Sequence, residues 1–320
     1  MEIKYLKSKV VAFAIIIVLL ALPGCTVVNS ETTTSSNISG SNSSSSIPET
    51  RSLNILVTSR MLKNIVTYYT GDYHTVEAMV NSDKTLKTFK PYFSFYKDKN
   101  YDTFLYHGAD YEPFIEGFLS DVDRNTIDVV NLSRGIDILR FKENNLDKEN
   151  PYFLTNSTNY KIILSSIKNN LQELDMARRK EYEAKFDQIS VKIDELQKKI
   201  KTFSEANKNM AFICDSELAQ YICQEYREDC INIIKYTNER VAGQTMTSDT
   251  SKAQDSGNLN LFLYTDDISL NKYADEISKF NLSPVKIKLY DYDMSVMDVL
   301  ETNYQGITQA ALKIGGIIPN

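Results

Sequence analysis

The sequence predicts an α/β protein built as two α/β lobes joined by one long helix. Two observations predict it. Short β-rich runs alternate with amphipathic stretches in both halves of the chain, the pattern of parallel strands covered by helices. Between the halves, Tyr182, Phe186, Ile189, Ile193, Leu196, Ile200 and Phe203 recur at alternating spacings of four and three, which places them on one face of a continuous helix.

The elements follow in order. Leu53–Thr58 reads as a buried strand, Met61–Tyr69 as a helix stopped by Gly71, and His74–Val80 as a second strand. Tyr101–Tyr106 is a third strand, Pro113–Leu119 a short helix and Thr126–Leu132 a fourth strand. Tyr160–Leu174 carries Ile163, Ile167, Leu171 and Leu174 on one stripe, a helical period. Asp175 is a candidate N-cap for a helix over Met176–Phe203, about 42 Å long at 1.5 Å per residue. Then come a strand (Met210–Cys214), a helix (Ser216–Tyr226), a strand (Ile231–Tyr236), a polar loop (Thr237–Gly257), a strand (Leu259–Tyr264), a helix (Leu270–Phe280), a strand (Val285–Leu289) and a closing helix (Val296–Ile314). This divides the domain into a first lobe at 53–174, a linking helix at 175–205 and a second lobe at 206–320. The long seam also suits a coiled-coil dimer, but the α/β sequence on both sides favours a rigid helix spanning two lobes of a monomer.

The N-terminus has a different character. Lys4, Lys7 and Lys9 precede Val10–Leu22, an unbroken apolar run of 13 residues. A membrane span needs roughly 17–25 residues, so this run fits the apolar region of a secretory signal. Leu22-Pro23-Gly24-Cys25 resembles the bacterial lipobox. The resemblance implies that residues 1–24 are a signal peptide, that Cys25 becomes the new N-terminus, and that acyl chains on Cys25 anchor the protein to membrane lipid on the outer face of the cytoplasmic membrane. Each buried CH₂ contributes about 0.8 kcal/mol to such an anchor. Residues 25–52 are rich in Ser, Thr, Asn and Gly, too polar to repay ordering, and read as a tether.

Composition narrows the function. The 36 basic and 42 acidic side chains become 33 and 41 once Lys4, Lys7, Lys9 and Glu2 are set aside. No basic face is visible, which argues against nucleic acid as a partner. The chain has 20 tyrosines and no tryptophan; pairs such as Tyr68-Tyr69 and Tyr290 with Tyr292 read as packing. There is no Gly-x-Ser-x-Gly elbow, Gly-rich phosphate loop or His-Glu-x-x-His, and Cys214 with His107 lacks an orienting third group, so the chain does not read as an enzyme. Cys214, Cys223 and Cys230 could form one disulfide outside the cell and leave a thiol. Their spacing is not that of a zinc finger or ribbon, and buried small hydrophobes are the favoured reading.

Several segments, in order along nearly the whole domain, resemble the solute-binding lipoproteins of zinc and manganese ABC importers. Gly71-Asp72, a strand, then Lys87-Thr88-Phe89-Lys90-Pro91 is similar to that family's Gly-Asp, strand, His-Thr-Tyr-Glu-Pro. Tyr106-His107-Gly108-Ala109-Asp110-Tyr111-Glu112 is similar to its strand-Gly-x-x-Leu-Glu turn, and Asn150-Pro151-Tyr152-Phe153-Leu154 to its Asp-Pro-His-x-Trp-Leu. Leu174-Asp175 before the long helix, Phe212–Tyr221 and Asp298–Asn303 resemble its remaining signatures. The resemblance implies a solute cleft between the lobes, an ABC permease as partner, and zinc or manganese as the cargo in question. It also implies a helix-bearing segment where Thr237–Gly257 reads as a loop, hence a smaller second lobe here.

The departure lies at the ligands. The resemblance puts the family's three imidazoles at Lys87, Tyr152 and Ser216, and its carboxylate at Asp291 or Asp293. Zinc takes neutral imidazole or thiolate in a tetrahedron. A lysine ammonium has no lone pair, and phenol and hydroxyl are poor ligands at neutral pH. The usual metal site is therefore expected to be degenerate. Lys87 either bridges the lobes to Asp291 or Asp293, or points to solvent. His107 with Glu112, Asp266 and Asp291 could form a relocated site suited to manganese or calcium, or His107 is an ordinary turn residue. Two functions stay open: an importer's receptor with an altered ligand, and a surface interaction or adhesion lipoprotein that kept the scaffold.

Overall fold

The computed structural model describes residues 51–92, 94–143, 145–241 and 259–319; the signal segment, Cys25 and most of the tether lie outside them. Among the described residues no helix is long and apolar enough to cross a membrane. The first lobe is a parallel four-stranded sheet in the order β2-β1-β3-β4, formed by β1 (Asn54–Ser59), β2 (Thr75–Val80), β3 (Thr103–Tyr106) and β4 (Asp128–Asn131). Ile55, Leu56 and Val57 of β1 are all buried. Adjacent apolar residues point to opposite faces, so such a run folds only where both faces are covered. Helices α1 (Arg60–Thr70), α2 (Asp83–Leu86), α3 (Ser94–Lys97) and α4 (Ile115–Asp121) connect the strands. The Ser59 hydroxyl caps α1 by accepting from the Leu62 amide, and Gly71 ends it at φ 53°.

The second lobe repeats the plan. Strands β7 (Met210–Cys214), β8 (Cys230–Asn232), β9 (Leu259–Tyr264) and β10 (Ser283–Lys286) form a parallel sheet in the order β10-β9-β7-β8. In each lobe the first strand has the second on one side and the third on the other. Pro284 sits on β10, an edge strand, where a missing amide is tolerated. Helices α5 (Ser157–Leu174) and α6 (Arg179–Ala206) lie between the lobes in sequence, and α7 (Gln220–Glu225), α8 (Ile233–Val241), α9 (Asp267–Lys272), α10 (Ala274–Lys279) and α11 (Val296–Lys313) belong to the second half.

The seam of α6 is spent within one chain. Tyr182, Ile189, Ile193, Leu196, Ile200 and Phe203 are buried against α1 and α5 on one side and α11 on the other. One apolar cluster runs from Leu53 to Ala311 through this helix, which answers the coiled-coil reading. The end of α6 is fastened by Asn207. Its Nδ2 donates to the carbonyls of Phe203 and Ile317, both at 2.8 Å, and its Oδ1 accepts from the Ile317 amide at 2.8 Å.

Several boundaries differ from expectation, each for a local reason. The strand expected at Ile231–Tyr236 stops at Asn232, whose side chain accepts from the amides of Ile234 and Lys235 and starts α8; the expected loop from Thr237 is therefore helical to Val241, and its remainder lies outside the described residues. The helix expected at Leu270–Phe280 is two short helices broken at Tyr273, the first started early by the Asp266 cap. The Asp175 carboxylate makes no capping bond; it accepts from the Tyr182 hydroxyl at 2.8 Å and from Arg178 at 3.1 Å. A hairpin of β5 (Arg140–Glu143) and β6 (Leu146–Glu149) escaped prediction, because its strands are mostly charged and lack apolar alternation.

Candidate functional site at the inter-lobe cleft

In an open parallel sheet the crevice forms at the carboxyl ends of strands where the order reverses. Here those points are the ends of β1 and β3 in the first lobe and of β7 and β9 in the second. At the first, β3 gives way to three consecutive left-handed residues: Gly108 (φ 81°), Ala109 (φ 52°) and Asp110 (φ 58°). A Cβ at Gly108 would collide with the side chains of Asn131 and Ser133, so only glycine fits. This tight return brings Glu112 back beneath the strand ends. Its Oε1 accepts from the His107 amide at 2.7 Å and the Thr58 hydroxyl at 2.5 Å, and its Oε2 from the Gly108 amide at 3.0 Å. Burial raises its pKa to about 7 despite these bonds.

The middle of the cleft is aromatic. His107 has no solvent exposure. Its ring stacks on Phe153 at 4.2 Å and 18° and lies 4.5 Å from Tyr111. Nε2 stands 2.6 Å from the Pro151 carbonyl and 3.0 Å from the Tyr290 hydroxyl, while Nδ1 is buried without a hydrogen-bond partner. The proton therefore belongs on Nε2, and burial lowers the pKa to about 3, keeping the ring neutral. Tyr290 donates to the same Pro151 carbonyl at 2.5 Å. The Tyr152 ring lies 4.9 Å from that of Tyr290, and the hydroxyls of Tyr111 and Tyr292 meet at 2.8 Å. The first lobe, the 151–153 connection and the second lobe all contribute. Such a cluster offers apolar faces and hydroxyls, and gathers no set of metal-ligating atoms.

The residues singled out from the sequence occupy varied places. Lys87 is exposed just beyond α2. Tyr152 belongs to the aromatic group. Ser216 caps the short turn Glu217–Ala219 by accepting from the Leu218 amide at 3.1 Å. Asp291 pairs with Lys288 at 2.6 Å, and that hydrogen bond lowers its pKa. Asp293 pairs with Arg60 of the first lobe, an ion pair that links the two lobes. Asp266 caps α9 through the Ser269 amide at 2.8 Å. His107 and Glu112 meet through a backbone amide, but the relocated set of His107, Glu112, Asp266 and Asp291 is not assembled as a metal site. Among the described residues the one group of three His, Cys, Asp or Glu ligand atoms gathered closely enough for a metal is Cys214, Cys223 and Cys230. An open recess of about 630 Å³ lies elsewhere, beside α6 and α7, and none of the singled-out residues lines it. Sequence reasoning missed Arg60, Phe153 and the site role of Tyr290 and Tyr292; the tyrosine pair was visible, but packing explained it equally well.

Further partly buried ties cross between the halves. Asn150 Nδ2 donates to the carbonyls of Glu217 and Leu218 at 3.2 and 3.4 Å. The Leu139 amide donates to the Tyr221 hydroxyl at 2.9 Å. Glu225 accepts from the Ser157 amide at 2.6 Å and from the Ser157 hydroxyl, at the N-terminus of α5 where a carboxylate is favoured.

Residues 55–310 match the profile of the family described as ZnuA, zinc-uptake complex component A periplasmic. The chain belongs to the ZnuA family. Solved structures agree on the fold. A crystal structure of ZnuA itself is 16% identical, with 82% of this chain and 100% of that one covered at a TM-score of 0.56. The metal-dependent lipoprotein YcdH from Bacillus subtilis is 14% identical over 84% of this chain and 100% of its own, at 0.61. The Zn(II)-bound ZnuA-like domain of Streptococcus pneumoniae AdcA is 12% identical over 82% and 99%, at 0.60. No curated protein sequence matches the chain. Membership in the ZnuA family makes this an extracytoplasmic, non-enzymatic solute-binding protein of the metal-type ABC importer class.

Proposed function

We propose that this chain is the lipid-anchored receptor of a metal-type ABC importer whose inter-lobe site has given up the family's imidazole-based hold on a divalent cation. The observation that carries this is the cleft centre. Tyr152 stands where the resemblance expects a ligand, packed on Tyr290, and the one imidazole in reach, His107, has Nε2 hydrogen-bonded to Pro151 and Nδ1 enclosed. Lys87, Ser216 and Asp291 complete the changed positions, as exposed cation, helical cap and partner of Lys288. Zinc needs about four nitrogen, sulfur or carboxylate ligands at 2.0–2.3 Å, and these side chains do not offer them together. The cargo is then a different solute, the partner an ABC permease, and Cys25 the lipid attachment that holds the domain at the outer face of the membrane behind its tether.

The test is metal retention by the full chain, purified in detergent without tag histidines. Dialysis against manganese is expected to leave no bound ion and no change in melting temperature. Zinc is expected to acquire no shell of nitrogen and oxygen ligands, read by X-ray absorption. Manganese bound at one per chain with a stabilisation near 3 kcal/mol, the size expected at roughly a hundredfold excess over Kd, would overturn the reading. The aromatic packing at the cleft centre also favours a second function, a surface interaction lipoprotein. Crosslinking in intact membranes separates them: capture of an ABC permease supports the receptor, and its absence with capture of an extracellular protein supports the alternative.

A further inference from the structure

We propose that Cys214, Cys223 and Cys230 form a three-thiolate site for a soft d¹⁰ cation, zinc or monovalent copper, inside the second lobe and separate from the cleft. Three elements bring them together. Cys214 ends β7, Cys230 begins the neighbouring β8, and Cys223 lies on α7. In the parallel register Cys230 stands opposite Phe212, two residues from Cys214 and hence on the same face of the sheet. The sulfurs of Cys214 and Cys223 are 3.6 Å apart, and all three lie within 4.8 Å of one another. Three sulfurs around a common ion at about 2.3 Å would stand about 4 Å apart, so the cluster needs only small side-chain rotations to close on a metal.

Number and access favour a metal. A disulfide would join two sulfurs and leave the third packed against it, whereas a trigonal set uses all three. Cys214 and Cys223 are buried, and Cys230 is the one partly exposed residue of the three, the side from which an ion would enter. The next residue, Asp215, has Oδ1 buried without a hydrogen-bond partner while Oδ2 is held by Thr265, and a neighbouring cation would offset that charge. Soft thiolates select zinc and monovalent copper over harder ions. Each cysteine releases its proton to solvent as the ion binds.

The test uses the reduced full chain in detergent, loaded without oxygen with zinc or with monovalent copper in separate arms. One ion per chain with three sulfur neighbours at about 2.3 Å by X-ray absorption is the expected result in at least one arm. Cys230→Ser should lower the sulfur count or abolish binding while leaving the melting temperature of the metal-free protein unchanged, since a serine hydroxyl can keep the bond that the thiol donates to the Ser216 carbonyl. The proposal is overturned if neither ion gains three sulfur neighbours, if Cys230→Ser retains all three, or if Cys214 and Cys223 form a disulfide that resists reductant. An ion held by nitrogen and oxygen alone would also overturn it, and would separately contradict the reading of the cleft.

Discussion

His107 and Tyr290 meet across the cleft, Nε2 to hydroxyl at 3.0 Å, and both reach the carbonyl of Pro151. One backbone oxygen thus gathers a histidine of the first lobe and a tyrosine of the second. The residue types make this workable: a neutral imidazole donates through Nε2, and a phenol both donates and accepts.

The buried ring makes stability depend on acid. The folded pKa of His107 is about 3, against about 6.5 when unfolded, so the unfolded chain takes up the proton first. Its contribution is complete above about pH 6.5 and is lost as pH falls toward 3. His107→Phe, which keeps the stack on Phe153, should flatten urea-unfolding stability between pH 6.5 and 4. His74, also lowered by burial, leaves a residual slope of the same sign. An unchanged pH profile in the variant would remove His107 from the account.

Glu112 acts in the opposite direction. Its folded pKa of about 7 lies above the unfolded value near 4.3, so the folded state holds the proton longer. That contribution is full below about pH 4.3 and is lost as pH rises through 7. Glu112→Gln should cost roughly 1–3 kcal/mol by mispairing the amides of His107 and Gly108. The deficit should shrink between pH 5 and pH 8, because only the native carboxyl pays for ionising. A deficit of constant size across that range would show that the carboxyl does not titrate.

Two inter-lobe ties should differ in worth. Arg60 and Asp293 form an exposed pair, and Asp293→Asn should change stability by less than about 1 kcal/mol. Glu225 is half-enclosed at the start of α5 and holds the Ser157 amide and hydroxyl. Its replacement by Ala should cost about 2 kcal/mol, the upper range for losing a helix cap. Equal losses in urea unfolding would contradict this ranking.

Gly108→Ala tests the turn beneath the cleft. A left-handed residue with a Cβ costs about 1–2 kcal/mol, and here the Cβ also meets Asn131 and Ser133. The expected loss is more than about 2 kcal/mol. Adding Asn131→Ala should recover part of it by relieving the collision but not the backbone strain. No recovery in the double variant would point to strain alone.

Much of the scaffold was legible because it follows from local pattern. The run Ile55-Leu56-Val57, β-branched at two of three positions and stopped before a helical stripe, reads as a strand covered on both faces, and the four-three spacing from Tyr182 to Phe203 as one face of a helix. The β5–β6 hairpin was not legible, since Arg140–Glu149 is held by pairing and not by burial. The end of β8 was missed because Asn232 is a cap, a role that shows only once its oxygen meets the amides of Ile234 and Lys235. That Lys87, Tyr152 and Ser216 are not histidines could be seen from residue types alone.

Residue pattern alone was enough for the two-lobed α/β scaffold and its connecting helix, and it shows that Lys87, Tyr152 and Ser216 carry no imidazole. Periodicity and side-chain chemistry are properties of neighbouring residues, and they state which face must be buried and which atoms can ligate. What those faces meet was set by the packing of elements far apart in the chain. Tyr290 reaches His107 over 183 positions and Glu225 reaches Ser157 over 68. Three cysteines that looked like packing converge because β7, α7 and β8 share one side of a sheet. Such pairings depend on strand order and helix placement, which no local period encodes.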